Sequence, residues 1–146
     1  MRVLIALLAG LLLTVAPARG RAAEPTPEPD AMTLTWLSWG YVMEEWTFSR
    51  TGQGQWRDRD NRVKTFAVKR EDYDRIRAIF QPYEGRTFAC DRTVYDLPYG
   101  RLKWAREGLP DETLAWDRGC VTGDATDVLN RVDQAEAILT RLRDGG

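Results

Sequence analysis

Residues 63–80 read VKTFAVKREDYDRIRAIF, and the character of the chain changes partway along this stretch. Residues 63–68 are rich in β-branched and aromatic residues, which predicts a strand. In residues 71–80 the apolar side chains return at helical spacing instead: Tyr73, Ile76, Ile79 and Phe80. That spacing predicts an amphipathic helix, which Pro82 ends. A strand that leads directly into such a helix indicates a helix laid on a sheet.

Three runs on the N-terminal side of this stretch are also predicted strands, at residues 34–39, 45–51 and 55–57. In the second run Trp46 and Phe48 alternate with polar residues, which places both side chains on one face. Together with residues 63–68, these runs predict an antiparallel meander.

On the C-terminal side the same order recurs. Strands are predicted at residues 86–91, 101–105 and 113–117, and the last two are expected to form a hairpin. A second helix follows, with Asp124 as its expected N-cap. Its apolar stripe steps by four and three residues: Val128, Val132, Ala135, Leu139 and Leu142.

The N terminus has the features of a secretory signal peptide. Arg2 supplies positive charge, residues 3–15 form an uncharged apolar core, and Ala16 and Ala18 are the small residues of a cleavage site. The core is shorter than the roughly 20 residues that span a bilayer. We expect cleavage after Ala18, with a second site after Ala22. The sequence therefore predicts a periplasmic or extracellular protein with no stable membrane anchor after cleavage.

Residues 19–31 contain alternating prolines and are predicted to be a tether in extended conformation. The formal net charge of the whole chain is −1. Cleavage after Ala18 removes one arginine and gives −2. A mildly acidic domain lacks the clustered basic surface that nucleic acid requires, so no nucleic-acid partner is expected.

Cys90 and Cys120 are the two cysteines of the chain. In an exported protein an even pair of cysteines most often forms a disulfide. The alternative is a reactive thiol, but the chain has no histidine to activate one and no C-x-x-C pattern. The sequence therefore favours a structural disulfide.

These patterns predict one α+β domain at residues 32–144. Its architecture is an antiparallel sheet of five or six strands, with two helices on one face and one disulfide. The other face of the sheet is expected to be solvated or to carry a partner.

The absence of histidine also excludes catalytic triads and the common zinc sites, and no phosphate-binding glycine loop is present. We expect no metal and no cofactor. Glu44 and Glu45 are candidate acids, but neighbours on a strand point to opposite faces and cannot act as a pair. Residues 58–61 (DRDN) offer oxygen ligands for calcium, but the arginines beside them favour a solvated hairpin tip.

Six tryptophans are many for a chain of 146 residues. Trp46, Trp104 and Trp116 have the alternation of core residues, whereas Trp39 and Trp56 fit that pattern less well. Exposed tryptophans are effective anchors for a protein or a sugar ring. Trp39 and Trp56 are therefore the candidate binding residues, although core packing remains the alternative for each.

Three functions are compatible with these features. The leading hypothesis is a non-enzymatic exported binding or accessory module, whose partner is an envelope or extracellular protein. The second is a carboxylate-based hydrolase of cell-envelope glycans, which requires two acids facing one cleft. The third is a purely structural domain. No residue predicts a catalytic role, and the sequence leaves the oligomeric state open.

Overall fold

A computed structural model describes residues 27–91 and 94–145 of the chain. They form one antiparallel sheet of six strands in the order β4-β3-β2-β1-β5-β6, together with two α-helices. This confirms the predicted α+β class. The elements are β1 Ala31–Ser38, β2 Tyr41–Ser49, β3 Gln53–Asp58, β4 Val63–Ala67, α1 Arg70–Phe80, a 3₁₀ helix Gln81–Tyr83, β5 Tyr99–Ala105, β6 Glu112–Asp117 and α2 Gly123–Arg143. The predicted signal peptide and most of the predicted tether lie outside the described residues.

The core lies between one face of the sheet and the two helices. Side chains alternate along a strand, so every second residue of the strands points into this layer. The sheet contributes buried residues from four strands: Met32, Leu34, Trp46, Phe48, Leu102, Trp104, Leu114 and Trp116. The helices contribute Tyr73, Ile76, Phe80, Val128, Val132, Ala135 and Leu139. The alternation that the sequence predicted for Trp46, Trp104 and Trp116 is confirmed.

The opposite face of the sheet is polar. Glu45 accepts hydrogen bonds there from Thr35 at 3.5 Å and from Arg57 at 2.7 Å. Glu44, one residue earlier, points to the helix side and contacts Trp56. The expectation that Glu44 and Glu45 lie on opposite faces is therefore confirmed.

The prediction of a strand at residues 86–91 is wrong. The described residues 84–91 and 94–98 contain no strand, although Phe88 is half-buried and packs edge-on against Tyr83. The segment pairs with the entrance to α2 instead of joining the sheet. The Val121 N–H donates to the Asp91 carbonyl at 3.1 Å, and the Thr122 hydroxyl donates to the Ala89 carbonyl at 3.3 Å.

The N-cap of α2 is Thr122 and not the predicted Asp124. Its hydroxyl oxygen accepts a hydrogen bond from the Ala125 N–H at 3.2 Å, which satisfies one of the free donors at the helix start. Asp124 lies in the first turn, where its negative charge suits the helix dipole.

Cys90 and Cys120 form the predicted disulfide, with their Cα atoms 5.2 Å apart. The bond joins the irregular segment after α1 to the residues that lead into α2. The disulfide thus fixes the connection between β6 and α2.

The C-terminal end of the predicted tether belongs to the folded domain. Pro29 is buried and its carbonyl accepts a hydrogen bond from the Tyr73 hydroxyl at 2.5 Å. The Pro27 carbonyl accepts from Arg106 at 2.6 Å, and Glu28 pairs with Arg70 at 2.7 Å. Proline has no N–H but keeps its carbonyl, so these residues can dock without forming a strand. Neither α-helix of the described chain is long and apolar enough to span a membrane.

Candidate functional site

The connections at one end of the sheet lie together. The register of the strands places the β1–β2 turn, the β3–β4 turn, the start of β5 and the end of β6 at this end. We call it the tip end. The disulfide is also close to it, because Cys120 follows β6 by three residues.

The β1–β2 turn presents an exposed tryptophan in a strained conformation. Ser38 pairs with Tyr41, so Trp39 and Gly40 alone form the loop. Their φ angles are 52° and 81°, the positive values that a type I′ hairpin turn requires. Asparagine and aspartate are preferred at the first position because bulky residues are strained there. The Trp39 side chain is 73% exposed, so packing within the protein does not offset this strain.

Other apolar groups surround Trp39 at the tip end. Tyr41 is largely exposed, and Arg59 from the β3–β4 turn lies over its ring at 5.6 Å. Leu97 and Tyr99 line a small pocket with Trp39, with a volume of about 100 Å³. We call Trp39, Tyr41, Leu97 and Tyr99 the aromatic tip. The Gly40 N–H donates to the Tyr99 hydroxyl at 3.1 Å, which connects the turn to β5.

Trp56, the other predicted binding residue, is placed differently. It is half-buried, and its indole N–H donates to the Glu44 carboxylate on the helix side of the sheet. The Arg143 guanidinium lies 4.6 Å from the centre of its ring. The two predicted binding residues therefore differ in environment: Trp39 is exposed at the turn, whereas Trp56 is half-buried on the helix side of the sheet.

A larger cleft opens on the helix side of the tip end, with a volume of about 530 Å³. Ser38 lines both this cleft and the small pocket beside Trp39, so the two adjoin. The lining combines apolar and charged side chains: Trp36, Leu37, Met43, Trp56 and Pro98, with Glu44, Asp58, Arg62, Arg118 and Glu136.

Most charged groups of the cleft are paired with each other or with neighbours. Arg62 contacts Asp58 at 2.5 Å, and the Arg118 guanidinium contacts Asp133 at 2.8 Å. Glu44 lies 3.7 Å from Arg143. Arg118 also lies over the ring of Trp36 at 4.9 Å. Among the described residues, no lysine or arginine nitrogen lies within 4.0 Å of the Glu136 carboxylate.

Glu136 comes from the middle of α2 and accepts a hydrogen bond from the indole N–H of Trp36. Burial raises the pKa of Glu136 from 4.5 to about 7, and the charges of Glu44 and Asp133 act in the same direction. The hydrogen bond from Trp36 and the charge of Arg118 oppose this shift. Glu136 therefore changes its charge near neutral pH.

Glu136 and Tyr41 were not among the residues that the sequence patterns predicted for a site. A signal for Glu136 was present, because it lies four residues after Val132 and so borders the apolar stripe of α2. An acid at that position is directed toward the sheet. Tyr41 was hidden because the β2 strand begins four residues earlier than predicted.

The described residues hold no group of three or more His, Cys, Asp or Glu side chains that could bind a metal ion. Residues 59–61 are exposed in the β3–β4 turn, whereas Asp58 is the last residue of β3 and is engaged with Arg62. Compared with protein-family models, curated proteins and solved structures, the chain matches none. The aromatic tip and the cleft are therefore the features from which we infer a function.

Proposed function

We propose that the protein is an exported, non-enzymatic binding module that docks on an envelope or extracellular protein through the aromatic tip. Export is supported by the signal-peptide features of residues 2–18 and by the Cys90–Cys120 disulfide, a bond typical of oxidising compartments.

The conformation of Trp39 carries the proposal. A tryptophan at a positive-φ turn position costs stability, and at 73% exposure its side chain gains little within the protein. A residue that is both strained and exposed is better explained by an interaction outside the chain. Tryptophan and tyrosine are enriched among the residues that dominate protein interfaces.

The shape of the tip favours a protein partner over a small ligand. The pocket beside Trp39 has a volume of about 100 Å³, whereas small-molecule sites usually enclose roughly 300–1,000 Å³. The exposed side chains of Trp39, in the β1–β2 turn, and of Tyr41, directly after it, suit insertion into a recess of the partner. The aromatic tip is thus suited to insert into a partner protein and not to enclose a small ligand.

A carboxylate-based glycan hydrolase is the second candidate. Its support is that Glu44 and Glu136 line one cleft and that the pKa of Glu136 is about 7, as a general acid requires. Glu44, however, is engaged with Trp56 and Arg143. This candidate predicts release of new reducing ends from cell-envelope glycans, and Glu136→Gln would abolish that release.

Site-specific photo-crosslinking tests the binding module. A photoreactive amino acid replaces Trp39 in the full chain expressed in cells, and a matched protein carries it at Leu109. Leu109 is 48% exposed in the β5–β6 turn, at the opposite end of the sheet. We expect one envelope or extracellular protein to crosslink from position 39 and not from position 109.

The crosslinked protein is then purified, and its affinity is measured for the parent, Trp39→Ala and Leu109→Ala. We expect Trp39→Ala to weaken binding at least tenfold and Leu109→Ala to leave it unchanged, because large effects concentrate at aromatic anchors. Equal binding by all three would refute the anchor role. N-terminal sequencing of the exported protein tests export, with residue 19 or residue 23 as the expected first residue.

A further inference from the structure

We propose that the cleft on the helix side of the tip end binds a primary ammonium group on an apolar stem, with the ammonium at Glu136. The inference is independent of the aromatic tip, since it rests on different side chains. A lysine side chain and a free alkylamine share this chemistry.

The charge pairing of the cleft carries the argument. Asp58 with Arg62, Asp133 with Arg118, and Glu44 with Arg143 each bring a carboxylate within 4.0 Å of a guanidinium. Glu136 is the cleft acid that no cation of the described residues approaches this closely. When ionised, it leaves the cleft with one uncompensated negative charge, and a cation is the ligand that this charge attracts.

The arginines of the cleft do not provide an equivalent site for an anion. Arg62 is held by both a hydrogen bond and an ion pair with Asp58. Arg118 is held between Asp133 and the ring of Trp36. An anionic ligand would compete with these carboxylates, whereas an ammonium at Glu136 displaces no protein cation.

The rest of the lining suits an apolar stem. Leu37, Met43 and Pro98 line the cleft, together with the indoles of Trp36 and Trp56. Methionine adapts its shape to a ligand, and alkyl chains of basic residues commonly lie along apolar surfaces. The volume of about 530 Å³ falls within the range of small-ligand sites.

The protonation state of Glu136 distinguishes an ammonium ligand from a sugar. Glu136 faces Trp36 from β1, Glu44 from β2, Asp133 from its own helix and Arg118 from the residue after β6. With a pKa of about 7 it is mostly charged at pH 8 and mostly neutral at pH 6. An ammonium binds the charged form, so its affinity should rise with pH. A sugar that uses the protonated acid as a donor would show the opposite dependence.

The test is titration of the mature protein followed through the NMR signal of the Trp36 indole N–H, which contacts Glu136 directly. The probes are Nα-acetyl-lysine amide and n-butylamine, and Nα-acetyl-norleucine amide is the control without an ammonium. We expect saturable shifts with the two amines and none with the control. Tighter binding of the lysine probe would indicate a peptide ligand, and tighter binding of butylamine a free amine.

Between pH 8 and pH 6 the amine affinity should fall about tenfold, and by pH 5 about a hundredfold, as the charged fraction of Glu136 falls. Glu136→Gln should lose at least tenfold in affinity at pH 8, whereas Glu71→Gln on the exposed side of α1 should bind as the parent does. Affinity that is independent of pH, or that rises at low pH, would overturn the proposal without any variant. Equal binding by Glu136→Gln, or glycan hydrolysis without amine binding, would also overturn it.

Discussion

At the scale of single residues, the structure places the tryptophans in environments that the sequence alone does not fully distinguish. The alternation of Trp46, Trp104 and Trp116 predicted their burial correctly, because a strand has only two faces. The different fates of Trp39 and Trp56 were not predictable in this way. They depend on the length of the β1–β2 turn and on the side chain of Glu44, and neither is visible in a pattern of alternating residues.

Trp39→Asn should stabilise the protein while it removes the proposed anchor. Asparagine tolerates the positive φ of this position, so relief of strain should raise the free energy of unfolding by about 1 kcal/mol. Urea denaturation of parent and variant measures the difference. Trp39→Ala is the matched control, since alanine removes the ring but keeps the strain and should give no such gain. A lower stability of Trp39→Asn would show that the indole contributes to folding.

Glu136→Gln should increase stability at pH 8 but not at pH 4.5. The pKa of Glu136 is about 7 in the folded protein, above its ordinary value of 4.5. The parent is therefore fully stabilised below pH 4.5 and loses stability as the pH rises toward 7. Glutamine keeps the acceptor for Trp36 and carries no charge. The gain at pH 8 should be on the order of 1 kcal/mol after allowance for solvent screening.

Urea denaturation at pH 4.5, 6 and 8 measures this difference. The two proteins should have the same stability at pH 4.5 and diverge progressively up to pH 8. A constant difference at all three values would mean that the substitution changes packing and not the charge of the cleft.

At the scale of elements, periodicity was enough to predict the type of an element, although the start of β2 lies four residues before the predicted one. The change of spacing within residues 63–80 placed β4 and α1 within one or two residues of their observed bounds. The strand prediction for residues 86–91 is wrong because a β-forming composition does not by itself provide a neighbouring strand to pair with. Their hydrogen bonds go to Val121 and Thr122, which lie about 30 residues away in the chain and are fixed there by the disulfide.

Gly100→Ala should destabilise the sheet at the point where β5 enters it. A Cβ atom at this position would clash with the Thr35 carbonyl oxygen on β1 and with the ring of Trp116 on β6. This clash can be relieved only if a strand moves, so we expect a loss of at least about 2 kcal/mol in the free energy of unfolding.

Gly123→Ala is the matched control for this substitution. Nothing lies within 4 Å of a Cβ at Gly123, which begins α2. Alanine there restricts the unfolded chain and favours the helix, so a gain of about 0.5–1 kcal/mol is expected. Thermal denaturation of both variants checks the pair. Similar stability of the two variants would show that β5 shifts to accommodate the methyl group.

At the scale of the whole molecule, the aromatic tip and the cleft both lie at the tip end, and each is built from several elements. The aromatic tip takes Trp39 and Tyr41 from the first hairpin but Leu97 and Tyr99 from the chain that returns after α1. The cleft likewise combines β1, β2 and β3 with the middle of α2. Such sites depend on the order of strands in the sheet. The sequence predicts the existence of the strands, whereas their order follows from packing of the complete chain.

Loss of the disulfide should therefore affect both stability and the tip end. The bond closes a loop of 30 residues that contains Leu97 and Tyr99. Closing a loop of this length restricts the unfolded chain, so Cys90→Ala/Cys120→Ala should lose about 3–4 kcal/mol. The described residues 84–91 and 94–98 belong to no strand ladder, so the Val121 amide, which donates to the Asp91 carbonyl, should exchange its hydrogen faster in the variant.

A reductant provides the control for this prediction. Urea denaturation of the parent with dithiothreitol should move its midpoint to that of the double variant, whereas the variant itself should not respond. Binding through the aromatic tip should weaken in the same conditions, because Leu97 lies in the segment that the disulfide fixes, whereas the strand of Tyr99 and the hairpin of Trp39 are held by ladder hydrogen bonds. If reduction lowered stability and left tip binding unchanged, the anchor would be confined to the first hairpin, and the loop would serve folding alone.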